Sequence, residues 1–177
     1  MNEKTVRIKI TAKIYDLTDD PGDMPETLSE EYMRSYLEAG DESEEFEYDE
    51  TAYEMTAEGV MKLEDGILSV TYPEPEENGM GASETRISFD ISSPQSVTMS
   101  RTGIISTAMV FDEKIKRHIC SYDTGIFPIE FCVCTKGVTN GITKGGGILK
   151  LDYVIEMRGV QTERNVLILE VYDLVSE

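Results

Sequence analysis

Apolar and polar positions alternate with a period of two along most of this chain. From Thr5 to Asp16, Val6, Ile8, Ile10, Ala12 and Ile14 fall on one side, and Arg7, Lys9, Thr11 and Lys13 on the other. Successive side chains of an extended backbone point to opposite faces, so this stretch predicts a long strand with one buried face. The same grammar resumes at Thr51, where Tyr53, Met55, Ala57 and Met61 alternate with Glu54, Thr56 and Glu58. Glu64-Asp65-Gly66 reads as a hairpin turn of the Asp-Gly kind, with Ile67 to Tyr72 as the returning strand. Pro73 to Gly79 is a polar loop. Thr85 to Ile91 predicts the next strand, with Ile87, Phe89 and Ile91 inward, and a turn at Ser92 to Gln95 leads into Val97, Met99 and Arg101 on one face. Gly103 marks a bulge or bend.

Ile104 to Phe111 and Ile115 to Tyr122 read as a hairpin. Pairing Tyr122 with Ile126 across Asp123-Thr124-Gly125 sets Ile119 opposite Ile129 and Ile115 opposite Val133. Ile115, Ile119, Phe127, Ile129, Phe131 and Val133 then share one face, so the turn and the apolar pattern agree on a register. Gly137 to Gly147 reads as a flexible loop. Ile148 to Met157 alternates again with Leu149, Leu151, Tyr153, Ile155 and Met157 inward. Arg158-Gly159 turns the chain into a last strand from Asn165 to Tyr172.

One segment departs from the pattern. Between about 18 and 50, Thr27 can cap a helix with Glu30 as its capping-box partner. Leu28, Tyr32, Tyr36 and Leu37 then form a helical stripe, and Gly40 suits its end. Asp41 to Glu50 is an acidic connector. Locally connected strands with no β-α-β alternation predict an all-β fold: one domain over 1–177, a single antiparallel up-and-down barrel of roughly eight to ten strands, with one short inserted helix.

Several short motifs carry a family resemblance. They are Arg101-x-Gly103, Met109-x-Phe111, Tyr122-x-Thr124, Thr135, Tyr153 after the glycine loop, and the closing Leu-Ile-Leu-Glu-Val strand. In their order and spacing the chain resembles the YwiB-like bacterial family of unknown function, over roughly Lys4 to Asp16 and Tyr53 to Tyr172. The resemblance implies a lipocalin-like (calycin-type) barrel and supplies no activity, substrate or site. The segment from Thr18 to Glu50 looks longer than that family's first connection. The chain has no tryptophan, so the Gly-x-Trp signature of true lipocalins is missing and the likeness is architectural.

A formal net charge of −19 argues against non-specific nucleic-acid binding and against attraction to anionic membranes, since both need a positive footprint. Three cysteines, Cys120, Cys132 and Cys134, do not make a disulfide framework. The first residues lack the apolar core of a signal peptide, and no apolar run is long enough to span a bilayer, so a cytoplasmic location is expected.

The sharpest candidates for chemistry are Arg101 and Arg117. Taken literally, the alternation points both into the barrel, where a guanidinium needs an anion or a carboxylate. Together with Tyr122 and Tyr153, or Tyr53, they form a candidate ligand-binding set. The plainer alternative is an arginine at the barrel mouth paired with a protein acid. His118, Cys120, Cys132 and Cys134 have the same parity, which places them on one face. Strand neighbours lie about 7 Å apart, and no Cys-x-x-Cys knuckle is present, so no metal site is assigned. Lys144-Gly145-Gly146-Gly147 leads into no helix and is not a phosphate loop. No nucleophile, base and orienting group assemble, so no catalytic residue and no cofactor is expected. A binding module for a small apolar or anionic ligand leads. A plugged barrel that docks a protein partner through its surface and acidic insertion is the alternative, and an enzyme is least favoured.

Overall fold

The computed structural model describes residues 2–17, 50–75 and 82–174. Ten strands follow in chain order: β1 (Asn2–Asp16), β2 (Glu50–Glu64), β3 (Ile67–Glu74), β4 (Ser83–Asp90), β5 (Ser96–Gly103), β6 (Ser106–Asp112), β7 (Arg117–Asp123), β8 (Pro128–Asn140), β9 (Gly147–Met157) and β10 (Val160–Asp173). Each pairs antiparallel with its neighbour in sequence, and β1 also pairs with β10, which closes the barrel. The expected all-β, antiparallel, up-and-down architecture is the one observed. Residues 18–49, which hold the predicted helix, lie outside the described residues.

Local chemistry sets the turns. Asp65 and Gly66 have φ of 50° and 83°, the two left-handed residues of a type I′ hairpin. Two bulges shift the alternation. One lies between Thr135 and Gly137, the other between Gln161 and Glu163. After the first bulge Val138 replaces odd-numbered residues on the inner face, and β8 runs on to Asn140. The expected glycine loop is therefore shorter than Gly137 to Gly147, because Val138 and Asn140 keep pairing with Leu151 and Leu149.

The register between β7 and β8 corrects the sequence reading. Tyr122 pairs with Ile129, Cys120 with Phe131 and His118 with Val133. The connection is a loop of Thr124 to Phe127 rather than a tight Asp-Thr-Gly turn. The Asp123 carboxylate accepts from the Gly125 N–H at 2.8 Å, and the Thr124 hydroxyl donates to the Phe127 carbonyl at 3.0 Å. That displaces the pairing by three residues, and an odd shift exchanges the faces of a strand. Cys120 and Tyr122 turn inward, whereas Ile115, Ile119 and Arg117 turn outward, and Ile119 is 82% exposed. Phe127 and Ile91, also expected inside, sit exposed in their turns.

Packing is uneven along the barrel axis. At the end that holds the β2–β3, β4–β5, β6–β7 and β8–β9 turns, the lumen is filled. Val6, Ile8, Leu68, Val70, Ile87, Val97, Phe111, Val133, Leu149, Leu151 and Leu169 are all at most 1% exposed and form one cluster. Eight strands enclose a lumen that side chains just fill. Ten leave room, and in this molecule the larger space is at the opposite end, while a smaller one of about 300 Å³ lies beside Met61, Leu63 and Leu68.

Candidate functional site: the open end of the barrel

The inward positions near the open end line a cavity of about 620 Å³. Alternation along the strands brings these residues inward. β1 supplies Ile14, β5 Met99 and Arg101, β6 Thr107 and Met109, β7 Tyr122, β8 Ile129 and Phe131, β9 Tyr153 and Ile155, and β10 Asn165 and Leu167. Tyr53 stands at the lip, 39% exposed. The Phe111 ring lies 4.7 Å from that of Tyr153 with the planes tilted by 56°, joining the cavity wall to the packed end. The wall is mostly apolar, with a few polar groups at fixed places, as in small-molecule sites generally.

The main polar group is an ion pair. Arg101 Nη2 donates to Glu74 Oε1 at 3.2 Å, and its Nε donates to Thr85 Oγ at 3.3 Å. The Thr85 hydroxyl in turn donates to Glu74 Oε1 at 2.7 Å. The Arg101 and Glu74 side chains are 16% and 6% exposed, and Thr85 is fully buried. The guanidinium charge is thus largely balanced by the protein itself, which is the plainer of the two readings of Arg101. Burial holds the phenols of Tyr72, Tyr153 and Tyr53 above the ordinary tyrosine value, so all three stay neutral around this pair.

Of the four candidate residues, Arg101, Tyr122 and Tyr153 meet at this cavity. Arg117 does not. Its side chain is 62% exposed on the outer wall, where Nη1 and Nη2 donate to Glu156 Oε1 and Oε2 at 3.0 and 2.7 Å. Its expected inward orientation fails with the β7 register. The same shift splits the cysteine set. His118 and Cys120 share the inner face of β7, while Cys132 and Cys134 project from the outer face of β8, so the four do not share one side of the sheet. The outer pair is nevertheless close, with Sγ atoms 3.9 Å apart. That is well below the roughly 7 Å expected for strand neighbours, because both side chains lean together.

Residues 40–169 match the model of a family described as a domain of unknown function, DUF1934. The chain belongs to this family. Its fold is similar to the crystal structure of the ywiB protein from Bacillus subtilis, with a TM-score of 0.65, 14% sequence identity, and coverage of 96% of this chain and 93% of that one. No curated protein matches the sequence. The YwiB-like resemblance read from the sequence therefore holds, and several of the residues that carry it lie at the DUF1934 barrel's open end. Arg101, Met109, Tyr122 and Tyr153 line the cavity, Phe111 supports it, and Thr124 builds the β7–β8 loop. Thr135 ties β8 to β6 by accepting the Asp112 N–H at 3.2 Å. Glu74, in a stretch whose prolines and glutamates predict a loop, is instead the last residue of β3. The signal was its place two residues after Tyr72, on the same inward parity.

Proposed function

We propose that this DUF1934 barrel is a binding module that holds a small, largely apolar ligand in its open end. The observation that carries the reading is the 620 Å³ cavity above a fully packed floor. Its size falls within the range of drug-sized ligand sites, and apolar walls provide most of the free energy of burial there. The buried Glu74–Arg101 pair favours a neutral polar head over a carboxylate. An anionic group has to compete with Glu74 for the guanidinium, whereas a hydroxyl or amide can share hydrogen bonds with the pair and with Tyr122. Plugging by side chains is confined to the other end, which speaks against the alternative of a filled barrel working only through its surface.

A neutral fluorophore, N-phenyl-1-naphthylamine, tests this directly. The expected result is a saturable fluorescence rise with a Kd of about 1–10 μM, equivalent to roughly −8 to −7 kcal/mol. Met109→Trp, which fills the cavity from β6, is expected to lower the affinity at least tenfold. The proposal fails if the wild type gives no saturable signal, or if the Trp variant, shown by circular dichroism to be folded, binds equally well.

A further inference from the structure

We propose that Cys132, Cys134 and Glu156 form a binding site for a thiophilic divalent cation, with zinc as the type, on the outer wall of the barrel. The site is separate from the cavity, since these residues project from the opposite face of the sheet. Their ligand atoms, two Sγ and a carboxylate oxygen, all lie within 4.8 Å of one another. The sheet builds this arrangement from cross-strand pairs. Glu156 on β9 stands directly opposite Cys132 on β8, and Cys134 is the next residue on the same face of that strand. The β8 bulge starts immediately beyond Cys134, and bulges sharpen the local twist.

The distances suit a metal. Two thiolates bound tetrahedrally at about 2.3 Å have their sulfurs about 3.8 Å apart, and Cys132 Sγ and Cys134 Sγ are 3.9 Å apart. Two sulfurs and one carboxylate oxygen make a three-ligand set of the kind zinc accepts, leaving the fourth position to water. The thiol pair selects against magnesium and calcium. Cys134 and Glu156 are 8% exposed and Cys132 is half-buried, so the ligands are held in place while one side stays accessible.

Arg117 is the apparent obstacle. Its Nη1 donates to Cys134 Sγ at 3.3 Å and to Glu156 Oε1 at 3.0 Å, so a guanidinium already sits against two of the three ligands. That side chain is 62% exposed and can swing outward, releasing Oε1 and the sulfur while keeping its bond to Oε2. It then serves as the outer partner that orients a metal-binding carboxylate. Charge also balances: two thiolates and a carboxylate carry −3, the cation +2 and Arg117 +1. Loading breaks two S–H bonds, forms two metal–sulfur bonds and releases two protons to solvent, with no change of oxidation state.

The test is a cobalt(II) titration of the full chain, kept reduced by a phosphine and first stripped with a chelator. The expected result is one cobalt per chain, with a sulfur-to-metal charge-transfer band in the near ultraviolet, tetrahedral d–d bands in the visible, and displacement of both by zinc. Cys132→Ser is expected to weaken binding at least tenfold and to reduce the charge-transfer band. Cys134→Ser is expected to do the same, and the double variant to abolish the band. Glu156→Gln should retain the band with affinity lowered about tenfold. Cys120→Ser, altered on the inner face of β7, should bind like the wild type. The absence of a charge-transfer band in the wild type, or its survival in the folded double serine variant, overturns the proposal. Because Cys132 is half-buried, Cys132→Ser alone settles the matter if the Cys134 variant does not fold.

Discussion

Gly59 has no room for a side chain. A β-carbon there would lie 2.5 Å from the Thr71 carbonyl oxygen and 2.5 Å from Ile8 Cδ1. The Ile8 methyl can move, but the carbonyl belongs to the backbone of β3 and cannot. Gly59 is also the last residue of β2 before pairing with β3 begins at Val60 and Thr71, so its bare Cα lets two strands and a core side chain converge. Gly59→Ala is expected to destabilise the protein by about 1–3 kcal/mol through overpacking, read as a lower denaturation midpoint with an unchanged m-value. A midpoint equal to that of the wild type would show that the strands yield more easily than their spacing suggests. Glu74 and Arg101 act by the opposite logic. Each is tolerated in a buried place in part because the other is present, and removal of either takes that compensation from the charge that remains.

Among the elements, β6 and β7 form the loosest joint in the wall. They pair only at Ser106–Asp123, Thr107–Tyr122 and Ala108–Ser121, and below that the strands separate. The connecting loop bridges the gap with carboxylates. Asp112 Oδ1 accepts the N–H groups of Ile115 and Lys114, and Glu113 accepts from Lys116 Nζ and from the Val138 N–H at the β8 bulge. These bonds, led by Ile115 N–H for Asp112 and Lys116 for Glu113, hold both carboxyls below their ordinary values of 3.8 and 4.5. The stability they add is therefore complete above the ordinary values and is lost as pH falls through the depressed folded ones. Asp112→Asn with Glu113→Gln is expected to lower Tm at pH 7 and to flatten its decline between pH 5 and about pH 3 relative to wild type. Parallel declines would assign the acid sensitivity to other carboxylates. The same joint marks where the sequence was hardest to read. β1 and β5 each have one apolar face, so alternation alone tells which side is inward. β7 has Ile115 and Ile119 leading into and along one face, and Cys120 and Tyr122 on the other. Its orientation therefore depends on the following loop, and the loop depends on hydrogen bonds from Asp123 and Thr124 that composition does not reveal. Arg101 was placed correctly for the first reason, and Arg117 was lost for the second. Glu74 escaped because Pro73 and the glutamates beyond it look like a loop.

At the scale of the molecule, a ten-stranded wall is too wide for its own side chains to fill, and the sequence resolves this by division. Large aliphatic residues crowd one end, while tyrosines, methionines and a buried ion pair line the other. The wall is correspondingly uneven: pairing between β2 and β3 is confined to Val60–Glu64 and Thr71–Ile67 at the packed end, so Glu50 to Gly59 is held there by β1 alone among the described strand pairings. Regions with fewer buried contacts open locally at lower cost than the global unfolding free energy. Amide hydrogen exchange is therefore expected to divide the barrel in two. Amides of Ile8, Val70, Leu151 and Leu169 should exchange only by global unfolding, and those of Tyr53 to Ala57 and Ser106 to Ala108 by cheaper local opening. A ligand in the cavity stabilises only states that keep the cavity formed, by an amount that grows with the logarithm of its concentration. Saturating N-phenyl-1-naphthylamine should thus slow exchange at the open end first, while the packed end gains only what the global equilibrium gains. Uniform protection before ligand, with equal slowing everywhere after it, would mean that the barrel opens as one unit and that the open end is no softer than its floor.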